Sequence, residues 1–300
     1  MSGTGSSWVE LPEGWERVAS EGPGPFVTSE VLRRPDGKLV RWRSRDHRKR
    51  RPARAEPGER GGVWWRPDRL SWWIGVLFAV GSLCFVLASV ASQWASSPRP
   101  AIGVTFFVGS IFFTSAGYLQ YWQVVNVEHA PRGARKGLSL RRRLRPASWE
   151  PGRIDWLSAL IQLVGTVFFN VSTFAAMKHG LSAKQSDLRV WTPDVLGSIC
   201  FLASTELAYA EVCGRWFCLR RSGLSWWIVA LNLGGSVFFG ISAIASVIEP
   251  STSEPLAAHL ANATTALGAL GFLIASVLLL PEAAGEAADG AQAEAPAPAA

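Results

Sequence analysis

The chain has few of the residues from which soluble enzymes and secreted scaffolds are built. Four cysteines in 300 residues is ordinary usage and excludes a disulfide-framed scaffold, and glycine follows no period, which excludes a collagen-like rod. The four histidines, His47, His129, His179 and His259, are scattered over loops and ends with no partner at metal-ligand spacing. No phosphate-binding glycine loop, nucleophile elbow or His-Glu-x-x-His pair occurs. Lacking a nucleophile, a metal set or paired carboxylates, the expected protein is not an enzyme and carries no cofactor. The first 60 residues contain no apolar core of the length a cleavable signal peptide needs, so none is expected.

What the chain has in excess is apolar length. Hydrophobic residues make up 48% of it and the mean hydropathy is +0.16, above what a soluble chain usually tolerates. They cluster in six windows, 70–94, 101–124, 154–177, 191–213, 224–247 and 257–280. Each window is long enough to cross about 30 Å of hydrocarbon at about 1.5 Å per residue. Charges inside them are few: Asp155 and Asp194 lie at the ends, and only Glu206 and Glu211 lie further in. The expected fold class is therefore all-α, a polytopic membrane protein with six transmembrane helices. Buried helices of a large soluble core would need other residues to cover them, and the chain has none to offer.

Basic residues set the expected orientation. Of the 30 Lys and Arg, 26 fall in the segment before the first window, the loop 125–153 and the loop 214–223, and only Arg99, Lys178, Lys184 and Arg189 fall on the other side. The basic side should be cytoplasmic, with both termini inside, in a cell (inner) membrane. Tryptophans agree: Trp64, Trp65, Trp72, Trp73, Trp122, Trp156, Trp216, Trp226 and Trp227 are expected at the inner interface, Trp94 and Trp191 at the outer one.

An internal repeat organises the windows. The run from Arg69 to Phe85 matches that from Gly223 to Phe239, with Leu-Ser-Trp-Trp-Ile in common, and Arg153 to Phe169 is a looser copy. The repeating unit is a helical hairpin, used three times in tandem. Each window also carries a small residue and a phenylalanine one turn apart: Gly81, Ser82 and Phe85; Gly109, Ser110 and Phe113; Gly165, Thr166 and Phe169; Gly197, Ser198 and Phe201; Gly235, Ser236 and Phe239; Gly268, Ala269 and Phe272. Glycine and phenylalanine four apart share a helix face, so the notch admits a neighbouring helix and the ring fills the space beside it. Helix packing through these six glycines is the expectation; a ring of hydroxyls lining a pore is the alternative.

The repeated Gly-Ser-x-x-Phe hairpin, the Arg-Pro-Asp-Arg-Leu-Ser-Trp-Trp run at 66–73 and the preceding Ser44-Arg-Asp-His-Arg-Lys49 resemble bacterial multi-pass membrane proteins built from the YrhK-like hairpin module. The resemblance covers about residues 64–280. It implies a membrane-embedded architecture and supplies no catalytic residue.

Outside the windows, residues 1–63 read as a basic cytoplasmic extension. Within it 27–43 form an expected β-hairpin about Pro35-Asp36-Gly37. Two strands alone are marginal, so the hairpin should rest on the membrane face or on a partner. Nine basic residues between 41 and 60 are expected to meet anionic lipid head groups rather than nucleic acid, at about 1 kcal/mol per basic residue near the surface; setting topology is a sufficient role for them. A homo-oligomer or a membrane-protein partner is left open. The Ala-, Pro- and Glu-rich tail 281–300 should be disordered.

Chemistry in such a chain would have to use polar residues inside the spans. Glu206 lies about 10 Å from the inner end of its span, Gln162 and Asn232 about 12 Å and Tyr118 about 9 Å, so the four are expected in one layer where they could converge. A hydrogen-bonded knot that fixes helix order is one reading, and a protonatable carboxylate for transport or sensing is the other. Asn170 is expected as a helix-packing contact, Glu211, Gln120 and Gln123 as residues needing no special account, and Cys213 and Cys218 as reduced thiols too far apart for a Cys-x-x-Cys motif. The expected role is that of a non-enzymatic structural, interaction or envelope-associated membrane protein; a small transporter or proton-linked sensor built on Glu206 is the alternative.

Overall fold

The computed structural model describes residues 11–48, 64–94, 99–126, 145–178, 180–219, 223–249 and 255–292, with the backbone alone for His47 and residues 283–292. Lys49 to Arg60 of the basic stretch, most of the basic loop after the second span, and the tail from 293 lie outside the described residues.

Six long helices carry the fold: α2 (Leu70–Ala91), α3 (Arg99–Val125), α4 (Ile154–Ala176), α6 (Thr192–Cys213), α7 (Leu224–Ala245) and α8 (Ala258–Gln292). All six are long and apolar enough to cross a membrane. Large apolar residues stand exposed at helical spacing on their outer faces, such as Val80, Leu83 and Leu87 on α2 or Val164, Val167 and Val171 on α4. A ring of helices with an apolar outside is what a lipid solvent selects.

The helices form a closed ring in chain order. Each packs on the next, and α8 returns to pack on α2. Within each hairpin the two notch glycines face one another. A Cβ added to Gly235 would stand 2.8 Å from the Gly268 carbonyl oxygen and from the Phe272 ring; one at Gly81 would stand 2.9 Å from the Gly109 carbonyl and 2.7 Å from the Phe113 ring, and one at Gly165 2.9 Å from Cys200 Cβ and 3.0 Å from the Phe201 ring. The glycines therefore permit backbone-to-backbone approach, and each phenylalanine covers its partner helix's notch.

All six notch phenylalanines then meet on the ring axis, in two stacked triangles. Phe85, Phe169 and Phe239, one from the first helix of each hairpin, lie with ring centroids 5.9–6.4 Å apart. Phe113, Phe201 and Phe272, from the second helices, lie 5.7–6.1 Å apart. Edge and tilted contacts tie one triangle to the other, at 4.8 Å between Phe169 and Phe201 and 5.5 Å between Phe85 and Phe113, within the range favoured by aromatic pairs. The threefold sequence repeat is thus a threefold of structure. Four of the five hydroxyls beside the glycines are spent on carbonyls, Ser110 donating to Phe107 O, Thr166 to Leu163 O, Ser236 to Asn232 O and Ser198 across to Phe239 O, and Ser82 is fully buried.

The fourth span begins earlier than its apolar run. Helix α5 (Ala183–Ser186) and a π-helical turn (Asp187–Trp191) run without a break into α6. Ser182 and Gln185 form a reciprocal cap that fixes this start. Ser172 donates to the Val190 carbonyl at 2.8 Å, and the Trp191 indole to Ala243 O at 2.9 Å. Helix α8 likewise continues through Gln292, where the sequence pattern predicts a disordered tail from 281. Alanine and glutamate are good helix formers once a preceding helix supplies the nucleus.

The N-terminal part is a three-stranded antiparallel sheet, β1 (Glu16–Glu21), β2 (Ser29–Arg33) and β3 (Leu39–Arg43), followed directly by the short helix α1 (Ser44–Arg48). The β2–β3 hairpin is the one expected about Pro35-Asp36-Gly37, with Gly37 at φ +81°. Strand β1 is additional; its side chains are almost all exposed and give no alternation to read. Leu32 and Trp42 form the small core with Leu11 and Trp15. Two tryptophans expected at the interface are core residues: Trp156 and Trp72 are buried, and their indoles donate to Ser148 O and Trp64 O.

Candidate functional site: a polar chamber stoppered by arginine

Helix α1 brings the sheet onto the inner end of the ring. Ser44 N donates to Thr28 O at 2.9 Å, tying the helix to the sheet, while its hydroxyl donates to Glu211 Oε1 on α6 at 2.8 Å. One turn on, the Arg48 guanidinium donates both terminal N–H groups to the two Glu211 oxygens, each at 3.1 Å, and lies 3.5 Å from Asp155 Oδ2 on α4. Arg153 holds Asp155 from the other side at 2.8 and 3.2 Å and pairs with Glu150. Arg45 donates to both oxygens of Glu282 on α8, at 3.2 Å each, and Ser225 at the start of α7 donates to the same carboxylate. The chain of charges thus links α1 to α4, α6 and α8.

Burial makes these contacts consequential. The side chain of Arg48 is 11% exposed, that of Glu211 2% and that of Asp155 0%. Burial lowers the pKa of the Arg48 guanidinium, but the neighbouring charges of Glu211 and Asp155 and their hydrogen bonds outweigh it and hold its pKa above the ordinary arginine value. Arg153 is likewise driven down by burial and lifted further by Asp155 and Glu150. A bidentate arginine–carboxylate pair is the geometry that best offsets the loss of water.

Beneath the stopper lies a cavity of about 90 Å³ inside the ring. Arg45, Arg48, Asp155 and Glu211 line it, together with the side chains of Gln120, Gln123, Ser158, Gln162, Thr205 and Asn232, and with Phe78 and Phe272. A second, larger cleft of about 720 Å³ runs between the sheet and the ends of α6, α7 and α8.

The four-residue layer read from the sequence separates here. Gln162 and Asn232 face the chamber; Glu206 and Tyr118 do not line it. Tyr118 is 46% exposed on the outer surface of α3. Helix rotation explains the split: equal depth along the axis says nothing about which way a side chain points. Asn170 is a helix contact as expected, donating to Thr114 Oγ1 at 2.7 Å. Glu211 and Asp155, by contrast, are the partners of the stopper. The signal that could have singled them out is position: of the acids at the basic end, these two stand within the apolar windows 154–177 and 191–213.

Cys213 and Cys218 are joined in a disulfide, with Cα atoms 5.9 Å apart, where thiols were expected. Gly214, at φ +69°, ends α6 in the left-handed conformation and turns the chain back so that five residues suffice to close the link. Among the described residues no group of three His, Cys, Asp or Glu is placed to hold a metal ion. Comparison of the chain with family models, with curated proteins and with solved structures finds no match.

Proposed function

We propose that this is a non-enzymatic integral membrane protein of structural, interaction or envelope-associated kind, in which a sealed ring carries a docked, basic N-terminal domain. The observation that carries the reading is the double triangle of phenylalanines: six rings fill the axis at the depth where a conducting path would have to run. The same reading takes the YrhK-like resemblance as its family and the basic face as cytoplasmic. It also takes the basic residues of 41–60 as the contact to anionic head groups, apart from Arg45 and Arg48, which are buried against Glu282 and Glu211.

The second reading, a small transporter or sensor, is favoured by one observation, the polar chamber beneath Arg48, and not by Glu206, which lies away from it. Proteoliposomes decide between them. Vesicles carrying the full chain should stay as tight to small ions and solutes as protein-free vesicles, and Glu206→Gln should change nothing. Saturable flux, whether or not Glu206→Gln abolishes it, would replace the sealed-ring reading by the transport one.

A further inference from the structure

The threefold repeat is broken at one level of the chamber. The ninth residue after Arg69, Arg153 and Gly223, the matched starts of the three repeats, is Phe78, Gln162 and Asn232 respectively. All three line the same cavity. Phe78 shows that an apolar side chain satisfies the packing of this position, so the fold itself does not call for an amide in the other two repeats.

The two amides are also unspent. Gln162 is 8% exposed, and neither its amide nor that of Asn232 makes a hydrogen bond to any described residue, although every buried hydroxyl of the neighbouring Ser158 and Thr205 is used. Both side chains line the cavity, Gln162 buried and Asn232 half-buried. Buried amides without partners are costly, and a site retains them where something else completes them.

The geometry points to a binding site for a small, uncharged, planar amide of the acetamide or urea class. Size sets the upper limit: about 90 Å³ holds about three waters at ~30 Å³ each, or one solute of a few heavy atoms. Charge sets the class. Every ionised group on the wall is already paired, Arg45 with Glu282, Arg48 with Glu211 and Asp155, and Asp155 with Arg153, so an ion added beneath them would be buried without a partner. Gln162 and Asn232 each offer both a donor and an acceptor, the complement of another amide. The Phe78 ring offers a flat apolar wall at the same level. Arg48 completes the wall on the α1 side. This site goes beyond the sealed-ring reading and stands whether or not solute crosses the membrane.

Equilibrium dialysis of the full chain in lipid nanodiscs against radiolabelled acetamide, urea and acetate tests it. One saturable acetamide site is expected, with urea competing and acetate failing to compete. Asn232→Phe and Gln162→Phe each install the residue the first repeat already carries, so melting midpoints should be retained while acetamide binding weakens by about tenfold. No saturable binding of acetamide or urea, meaning a chamber that holds water only, overturns the proposal. Undiminished binding by both phenylalanine variants does so too. Should neither variant fold, the wild-type competition still decides, since acetate displacing acetamide as well as urea does contradicts an uncharged site. Flux in proteoliposomes without saturable binding would sink this proposal and the sealed ring separately, because the two readouts are independent.

Discussion

Gly235→Ala is expected to lower stability in detergent by about 3 kcal/mol, near the upper end of the cost of overpacking, while Gly234→Ala, one residue away, is neutral or stabilising by up to about 1 kcal/mol. At 235 the new methyl meets the Gly268 carbonyl and the Phe272 ring at 2.8 Å; at 234 nothing lies within 4 Å. The carbonyl belongs to the facing backbone, so relief requires the α7–α8 hairpin to open, and with it the phenylalanine triangles that Phe239 and Phe272 complete. Denaturation midpoints of the two variants, measured side by side, give the difference directly. Equal midpoints would mean that the notches do not hold the helices together.

Arg48→Ala is expected to cost about 3–5 kcal/mol of docking, the range for removing one partner of a buried ion pair. Among the described residues it leaves Glu211 with a single neutral donor, Ser44, and leaves Asp155 to Arg153 and the Trp156 N–H. The double change Arg48→Met with Glu211→Gln removes charge from both sides and should recover most of that loss, so a double-mutant cycle should report strong coupling. Trypsin cleavage at Arg45 reads the same event, since its side chain is only 12% exposed while α1 is docked. A cost below 1 kcal/mol, as for exposed pairs, would mean that the sheet only rests on the ring. The pH dependence has a definite sign. Because the pKa of Arg48 is raised in the folded state, its contribution is complete below the ordinary arginine value wherever Glu211 and Asp155 are ionised and fades only as pH rises through the folded one, so alkaline shifts within the physiological range should not release α1.

Much of this architecture could be read from residue types and spacing. Apolar runs located six spans, those of α2, α3, α4 and α7 to within a few residues at both ends, because a stretch of about 20 apolar residues has few alternatives to a membrane helix. The glycine–phenylalanine notches named the contact residues of every hairpin. Their convergence could not be read, since a helical face says what is shared along one helix and nothing about which helices surround it. The stopper was hidden for a different reason. Arg48 sits in a run of arginines with no local feature to distinguish it, and its partners Asp155 and Glu211 lie more than a hundred residues away. Strand β1 escaped because a polar edge strand lacks alternation, and the disulfide because Gly214 reverses the chain where spacing alone suggested separation. The layer of Glu206, Tyr118, Gln162 and Asn232 failed for want of rotation: depth along the axis was right and azimuth was not.

The account rests on six crossings that leave the basic face, with its docked sheet, on the cytoplasmic side. The disulfide between Cys213 and Cys218 lies at that same end and argues for the opposite sidedness, because such bonds persist mainly outside the cytoplasm; against it stand 26 of the 30 basic residues. Labelling intact cells with a membrane-impermeant amine reagent decides. Lys184, exposed beside the capped start of the fourth span, should react from outside, whereas Lys38, exposed in the β2–β3 turn, should react only after the cells are opened. Lys38 labelled in intact cells with Lys184 protected would contradict the orientation, and both labelled from outside would contradict the six crossings.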